Sequence, residues 1–203
     1  MFGRLGVRRK PFTYWAEVNA RGAGMKKTLT IFLVSLVVLA GSALLVGCGG
    51  DTKQAKQYMK EGNAQVEKLK SDTSAFGDEM TALSSITDPT AAVAAVNKAK
   101  TTAANLSKTA DQAAADFQKI KSLHRVPDYV KYADLEIKAM DLFQQLVKSI
   151  DSYFNQFLSM VNSGDLSGLQ SASKASSDTI NKLGQEYSRL DQQAQQLKSD
   201  KKL

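Results

Sequence analysis

Four long stretches of the chain carry apolar or small residues at alternating intervals of three and four. The breaks between them fall at 87–89, 124–127 and 162–165, and after residue 50 the prolines are Pro89 and Pro127. Such spacing gathers the apolar side chains into one seam along a helix and is typical of left-handed bundles. The third stretch has the richest seam, with Phe143, Phe154 and Phe157, and also a charged member, Glu136.

The pattern predicts an all-α fold, an antiparallel up-down-up-down four-helix bundle over residues 54–203. The helices are expected at about 54–86, 89–123, 128–162 and 165–200, each a rod about 50 Å long. Asp88 before Pro89 is a good N-cap with proline at the first helical position. Gly164 suits a helix C-terminus, and Asp165 suits the next N-cap.

The segment Met25–Cys48 has the three parts of a secretory signal. Lys26 and Lys27 form a positive start, an uncharged run rich in Leu and Val follows, and the run thins into small residues near Ala40 and Ala43. The run is also nearly long enough to span a bilayer, so a plain membrane anchor is the alternative. The residues at its end decide between the two.

Leu45-Val46-Gly47-Cys48 resembles the lipobox of bacterial lipoproteins. The resemblance covers these residues and the signal before them. It implies cleavage between Gly47 and Cys48, diacylglycerol on the Cys48 thiol and a mature protein beginning at that residue. Thiols ionise more readily than hydroxyls, which suits cysteine to alkylation. Cys48 is the chain's only cysteine, so no internal disulfide can form. Residues 48–53 are expected to be the tether.

Residues 1–24 precede the signal and show neither a helical nor a strand period. We expect them to be either a disordered extension or an incorrectly assigned start, with translation beginning at Met25. They also distort the overall charge. Residues 1–27 hold seven of the 27 Lys and Arg but one of the 20 acidic residues, so the net charge of +7 falls to +1 from Cys48 onward. The sequence therefore does not favour nucleic-acid binding.

No catalytic, cofactor or metal motif is apparent in the sequence. Glu-x-x-His pairs, Gly-rich phosphate loops and nucleophile elbows are missing, and His124 is the single histidine. We interpret His124 as a loop residue. Glu136 occupies a seam position, and we expect it to be salt-bridged or exposed at a helix end rather than functional. We therefore expect no catalytic residue, no bound metal and no cofactor.

Cations are expected to cluster at the tether end of the bundle. In the predicted topology this end gathers the start of the first helix, the end of the second, the start of the third and the end of the fourth. The candidate contacts to anionic lipid are Lys53, Lys56, Lys121, Arg125, Lys201 and Lys202. Lysine near a helix C-terminus favours the helix dipole, but Lys53 and Lys56 lie at the unfavourable end of theirs.

These observations predict a lipoprotein of the bacterial cell envelope, anchored through Cys48 on the extracytoplasmic side of a membrane. Its bundle is expected to act as a protein-binding or scaffolding module, with an envelope protein as partner. The alternative is a carrier or sensor of a small apolar ligand inside the bundle. It rests on Phe154 and Phe157 lying opposite small residues, namely Ala92, Ala95, Ser173 and Ser176.

Overall fold

The computed structural model of the protein describes residues 50–83, 85–86, 88–164 and 168–203, without the side chains of 169 and 170. Four helices account for nearly all of it: α1 (Gly50–Leu83), α2 (Pro89–Lys121), α3 (Pro127–Ser163) and α4 (Leu169–Lys201). Within these ranges there is no strand. The predicted all-α four-helix bundle is confirmed. The predicted signal peptide, Cys48 and the segment before them lie outside the described residues.

Helices that follow each other in the chain pack against each other in antiparallel order. Between α1 and α2, Lys98 in the first third of α2 forms an ion pair with Glu79 near the end of α1 at 2.9 Å, and Gly62 early in α1 lies against Phe117 late in α2. Contacts between α2 and α3, and between α3 and α4, likewise join early residues to late ones. The order is therefore up-down-up-down.

Two helix ends have the caps that the sequence predicts. The Asp88 side chain accepts a hydrogen bond from the Ala91 N–H at 2.8 Å, directly before Pro89 at the start of α2. At the end of α3, Gly164 adopts a left-handed conformation with φ 70°. Glycine suits this position because it lacks the Cβ that disfavours positive φ.

Two helices begin at residues that differ from the approximate starts expected from the sequence. Helix α1 begins at Gly50, so residues 50–53, assigned to the tether, are helical. The reason is Asp51, which places a negative charge in the first turn and accepts a hydrogen bond from the His124 N–H at 3.1 Å. Helix α4 begins at Leu169 rather than 165, with Gly168 as its N-cap. The predicted cap Asp165 lies outside the described residues.

The core is built from the predicted seams and from a second row on α3. Phe154 of the third seam is completely buried, and so is Phe117, which the same spacing places on the seam of the second stretch. Tyr132, Ala139 and Leu146 are also buried, although they lie beside the seam rather than on it. The cause is that α3 packs against both α2 and α4 and therefore buries a wider face than a two-helix seam requires.

Gly62 allows α1 and α2 to approach closely. A Cβ added there would lie 2.7 Å from the ring of Phe117. That ring is completely buried and packs edge-on against Tyr132, with the ring centroids 5.9 Å apart. Because the ring has no free space to move into, this position requires glycine.

Candidate functional site

One end of the bundle gathers the six cations singled out in the sequence. The contact between Asp51 and His124 joins the first turn of α1 to the α2–α3 connection. Lys201 at the end of α4 lies 3.9 Å from Asp128 in the first turn of α3. The four predicted segments therefore meet. We call this surface the basic end; it comprises Lys53, Lys56, Lys121, Arg125, Lys201 and Lys202.

The members of the basic end differ in exposure and in pairing. Five are exposed, whereas Lys56 is half-buried. Lys121 forms an ion pair with Asp134 at 2.8 Å, so its charge is partly compensated. Arg125 and Lys202 adopt left-handed backbone conformations, with φ 58° and 53°, as the chain turns at this end.

The position of Gly50 ties the basic end to the predicted lipid site. Gly50 is the first residue of α1 and lies at this end of the bundle. Residues 50–53 of the predicted tether are helical, which leaves Cys48 and Gly49 as its remainder, and two extended residues span at most about 7 Å. This is shorter than the tether expected from the sequence.

A second group of polar side chains lies inside the bundle, between α1, α3 and α4. Its members are buried or half-buried although most carry ionisable groups. We call it the buried polar cluster; it comprises Asn63 and Lys70 of α1, Tyr132 and Glu136 of α3, and Tyr187 and Asp191 of α4. Lys70 joins α1 to α4 through an ion pair with Asp191, with Nζ 3.8 Å from Oδ1.

Glu136 is the centre of this cluster. Its side chain is 1% exposed, and neither of its carboxyl oxygens accepts a hydrogen bond from any described residue. Burial raises the pKa of Glu136 to about 7, and the negative charge of Asp191 acts in the same direction. Tyr132, Lys70 and Lys198 oppose that rise in pKa. The expectation that Glu136 would be salt-bridged or exposed is therefore wrong.

The two tyrosines of the cluster remain neutral. Burial raises the pKa of Tyr132 and of Tyr187 well above the ordinary range, and the nearby carboxylates raise both further. The Tyr132 hydroxyl donates to Asn63 Oδ1 at 2.7 Å. A hydroxyl has one proton, so in this arrangement Tyr132 cannot also donate to Glu136. Its oxygen remains able to accept.

Sequence reasoning found Glu136 but not the residues around it. Tyr132 lies outside the 3-4 seam, and Lys70 and Asp191 occupy positions that read as solvated faces of α1 and α4. The available signal was Glu136 itself, a carboxylate at a seam position of the most apolar helix. Its neighbours come from three helices, and only their relative rotation brings them together.

The far end of the bundle is packed with aromatic rings. Phe154 is completely buried and Phe157 is 5% exposed, and Ala92 is buried with them. Ser173 and Ser176 are half-buried. A shallow groove of about 440 Å³ also runs between α1 and α2, but polar side chains such as Lys68, Thr102 and Asn105 line much of it. These described features do not favour the apolar-ligand alternative.

In the described part of the chain, no group of three or more His, Cys, Asp or Glu side chains is arranged to hold a metal ion. No helix in the same part combines the length and apolarity needed to cross a bilayer.

Comparison of the chain with protein-family models, with curated proteins and with solved structures finds no match.

Proposed function

We propose that the protein is a lipid-anchored protein of the bacterial cell envelope whose helical bundle acts as a protein-binding or scaffolding module. In this proposal the lipid on Cys48 holds the extracytoplasmic bundle at a membrane, and the basic end faces anionic headgroups. The observation that carries the proposal is that α1 begins at Gly50, at the same end as the exposed cations.

Electrostatics support this orientation. A cation near an anionic membrane contributes about 1 kcal/mol at low salt, and the attraction decays over about 10 Å. The short link from Cys48 to Gly50 keeps Lys53 within that distance. Lys53 also lies near the positive end of the α1 dipole, where it weakens the helix, so helix stability does not explain its position.

The outer faces of the bundle support a binding role. They are polar along rods about 50 Å long. Exposed side chains such as Ala104 on α2, Gln145 on α3 and Gln185 on α4 point away from the core. A rigid rod with an accessible surface on several helices suits contact with another protein more than reaction with a small substrate.

Anchoring is tested by metabolic labelling with radioactive palmitate. The wild-type protein should incorporate the label, and its mass should show that residues 25–47 are removed. Cys48→Ser should remain unlabelled and keep its leader. Equal labelling of the two proteins, or a wild-type mass that includes the leader, would overturn the proposal.

The orientation is tested with processed protein reconstituted into vesicles of neutral or anionic phospholipid. Lysine acetylation should be several-fold slower at Lys53 and Lys202 on anionic vesicles at low salt. Lys148, exposed on α3 far from the basic end, is the internal control and should react equally on both. Equal rates at all three lysines would contradict the proposed orientation.

The binding role is tested by photo-crosslinking in intact cells. A crosslinking amino acid at Ala104, Gln145 or Gln185 should capture one protein reproducibly from one face, and Cys48→Ser should lose that product. Absence of any reproducible product from all three positions would argue against a binding module.

A further inference from the structure

The carboxyl group of Glu136 is enclosed in the bundle and makes no hydrogen bond of good geometry with a described residue. It is 1% exposed, and the Tyr132 hydroxyl is the neighbour whose hydrogen bonding acts on its pKa. An isolated buried carboxylate is very costly, whereas a protonated carboxylic acid needs only an acceptor for its own proton. The geometry therefore favours the acid form when the cluster is packed as observed.

The Tyr132 oxygen can be that acceptor, because the Tyr132 hydroxyl donates its own proton to Asn63. Tyr132 donates to Asn63 Oδ1, which leaves lone pairs on the Tyr132 oxygen. The Tyr132 hydroxyl is within hydrogen-bonding reach of Glu136, and it lowers the pKa of Glu136 only when it donates to the carboxylate. A protonated Glu136 can therefore donate to Tyr132, which donates to Asn63. All three side chains are then hydrogen-bonded, with each proton donated from Glu136 toward Asn63.

When Glu136 is ionised, the hydrogen bonds among Glu136, Tyr132 and Asn63 must run in the opposite direction. A carboxylate only accepts, so Tyr132 must turn its proton toward Glu136. Asn63 must then make a half-turn of its amide, so that its Nδ2–H₂ group donates to the Tyr132 oxygen. Because Asn63 belongs to α1 and the other two residues to α3, the change of direction acts on the contact between these helices.

We propose that Glu136 is a proton-binding site. Its protonation sets the direction of the hydrogen bonds that link Glu136, Tyr132 and Asn63, and thereby how firmly α1 packs against the rest of the bundle. The ligand is a proton exchanged with water. It is released from the Glu136 carboxyl to water as hydronium past Lys70 and Asp191, whose side chains are 14% and 16% exposed.

Burial raises the pKa of Glu136, and the charges around the site modify that rise. On α4, Asp191 disfavours the ionised form and Lys198 favours it; on α1, Lys70 favours it. The phenol of Tyr187 stays protonated, and α2 contributes the apolar ring of Phe117, which packs on Tyr132. The effect of burial on the pKa is larger than the effect of the opposing charges, and the pKa of Glu136 is raised to about 7.

The experiment uses the purified full-length protein and two carboxyl variants. Glu136→Gln keeps the shape but cannot titrate, and Glu186→Gln on α4 is the control outside the cluster. Infrared spectra should show a protonated carboxylic acid that disappears between about pH 6 and pH 8 in wild type and in the control. The signal should be missing from Glu136→Gln.

Hydrogen exchange then tests the link to α1. After correction for intrinsic exchange, amides in residues 57–70 should exchange about tenfold faster above pH 8 than at pH 6 in wild type, which corresponds to one unit of pKa difference between packed and open forms. Glu136→Gln should stay at the slow rate throughout.

Either of two results would overturn the proposal. One is the absence of a carboxylic acid band that titrates in this range in wild type, which does not depend on any variant folding. The other is the same pH dependence of exchange in Glu136→Gln as in wild type. Both tests concern the bundle interior, so they can fail while the lipid anchor stands, and the reverse is also true.

Discussion

The Asp51 carboxylate accepts a hydrogen bond from the backbone N–H of His124 at 3.1 Å and joins the first turn of α1 to the connection between α2 and α3. The same carboxylate lies at the positive end of the α1 dipole. It therefore stabilises both the start of the helix and the basic end.

Asp51→Ala should lower the free energy of unfolding by about 1 kcal/mol, the sum of a lost dipole interaction and a lost hydrogen bond. Urea unfolding measures this change. Asp51→Asn, which keeps an acceptor, should lose less. An unchanged midpoint in Asp51→Ala would show that the contact with His124 does not contribute to stability.

Gly62→Ala should destabilise the bundle although alanine is the better helix former by about 1 kcal/mol. The added Cβ meets the buried Phe117 ring at 2.7 Å, and such overpacking costs about 1–3 kcal/mol. Thermal unfolding should show a lower midpoint. Adding Phe117→Leu should recover part of the loss in the Gly62→Ala background, whereas it should destabilise the wild type. A stabilised Gly62→Ala would contradict the close approach.

Asp88→Ala should cost about 1 kcal/mol because the Ala91 N–H loses its acceptor at the start of α2. Urea unfolding is again the measurement. Asp88→Ser retains an oxygen in capping position and should be close to wild type. Equal losses in both variants would mean that the cap is not what Asp88 contributes.

Glu136→Gln should change how stability depends on pH. Burial raises the pKa of Glu136 from an ordinary 4.5 to about 7 in the folded protein, so the folded state binds the proton more tightly than the unfolded state. The stability linked to this proton is fully present below pH 4.5 and is lost as the pH rises through 7. The loss amounts to about 3 kcal/mol.

The glutamine variant should therefore match wild type near pH 4 and exceed its unfolding free energy by up to about 3 kcal/mol at pH 8. Urea titrations at a series of pH values measure the difference, with Glu186→Gln as the control. A wild type that gains stability between pH 5 and pH 8 relative to Glu136→Gln would have the wrong sign for a raised pKa.

The sequence predicts the bundle well because seam spacing reports directly on burial. Phe117, Phe143 and Phe154 lie on predicted seams and are buried. Tyr132 could not be predicted in the same way, because its burial depends on α3 having two neighbours. The start of α1 was missed because Gly50 reads as linker, whereas Asp51 stabilises a helical turn there.

The two candidate sites differ in how far the sequence could define them. The basic end follows from helix order, since an up-down-up-down chain must bring its first and last residues together. The neighbours of Glu136 depend on how α1, α3 and α4 are rotated about their axes. Heptad spacing does not determine that rotation accurately, so the sequence is equally compatible with Lys70 and Asp191 facing water.

The length of the helices sets the distance between the two ends of the bundle. If the basic end rests on headgroups, helices of 33 to 37 residues hold Gly164, at the far end of α3, some 50 Å away from the bilayer surface. A protein that binds at the far end would therefore be held at a fixed distance from the bilayer, because the helices act as a rigid spacer.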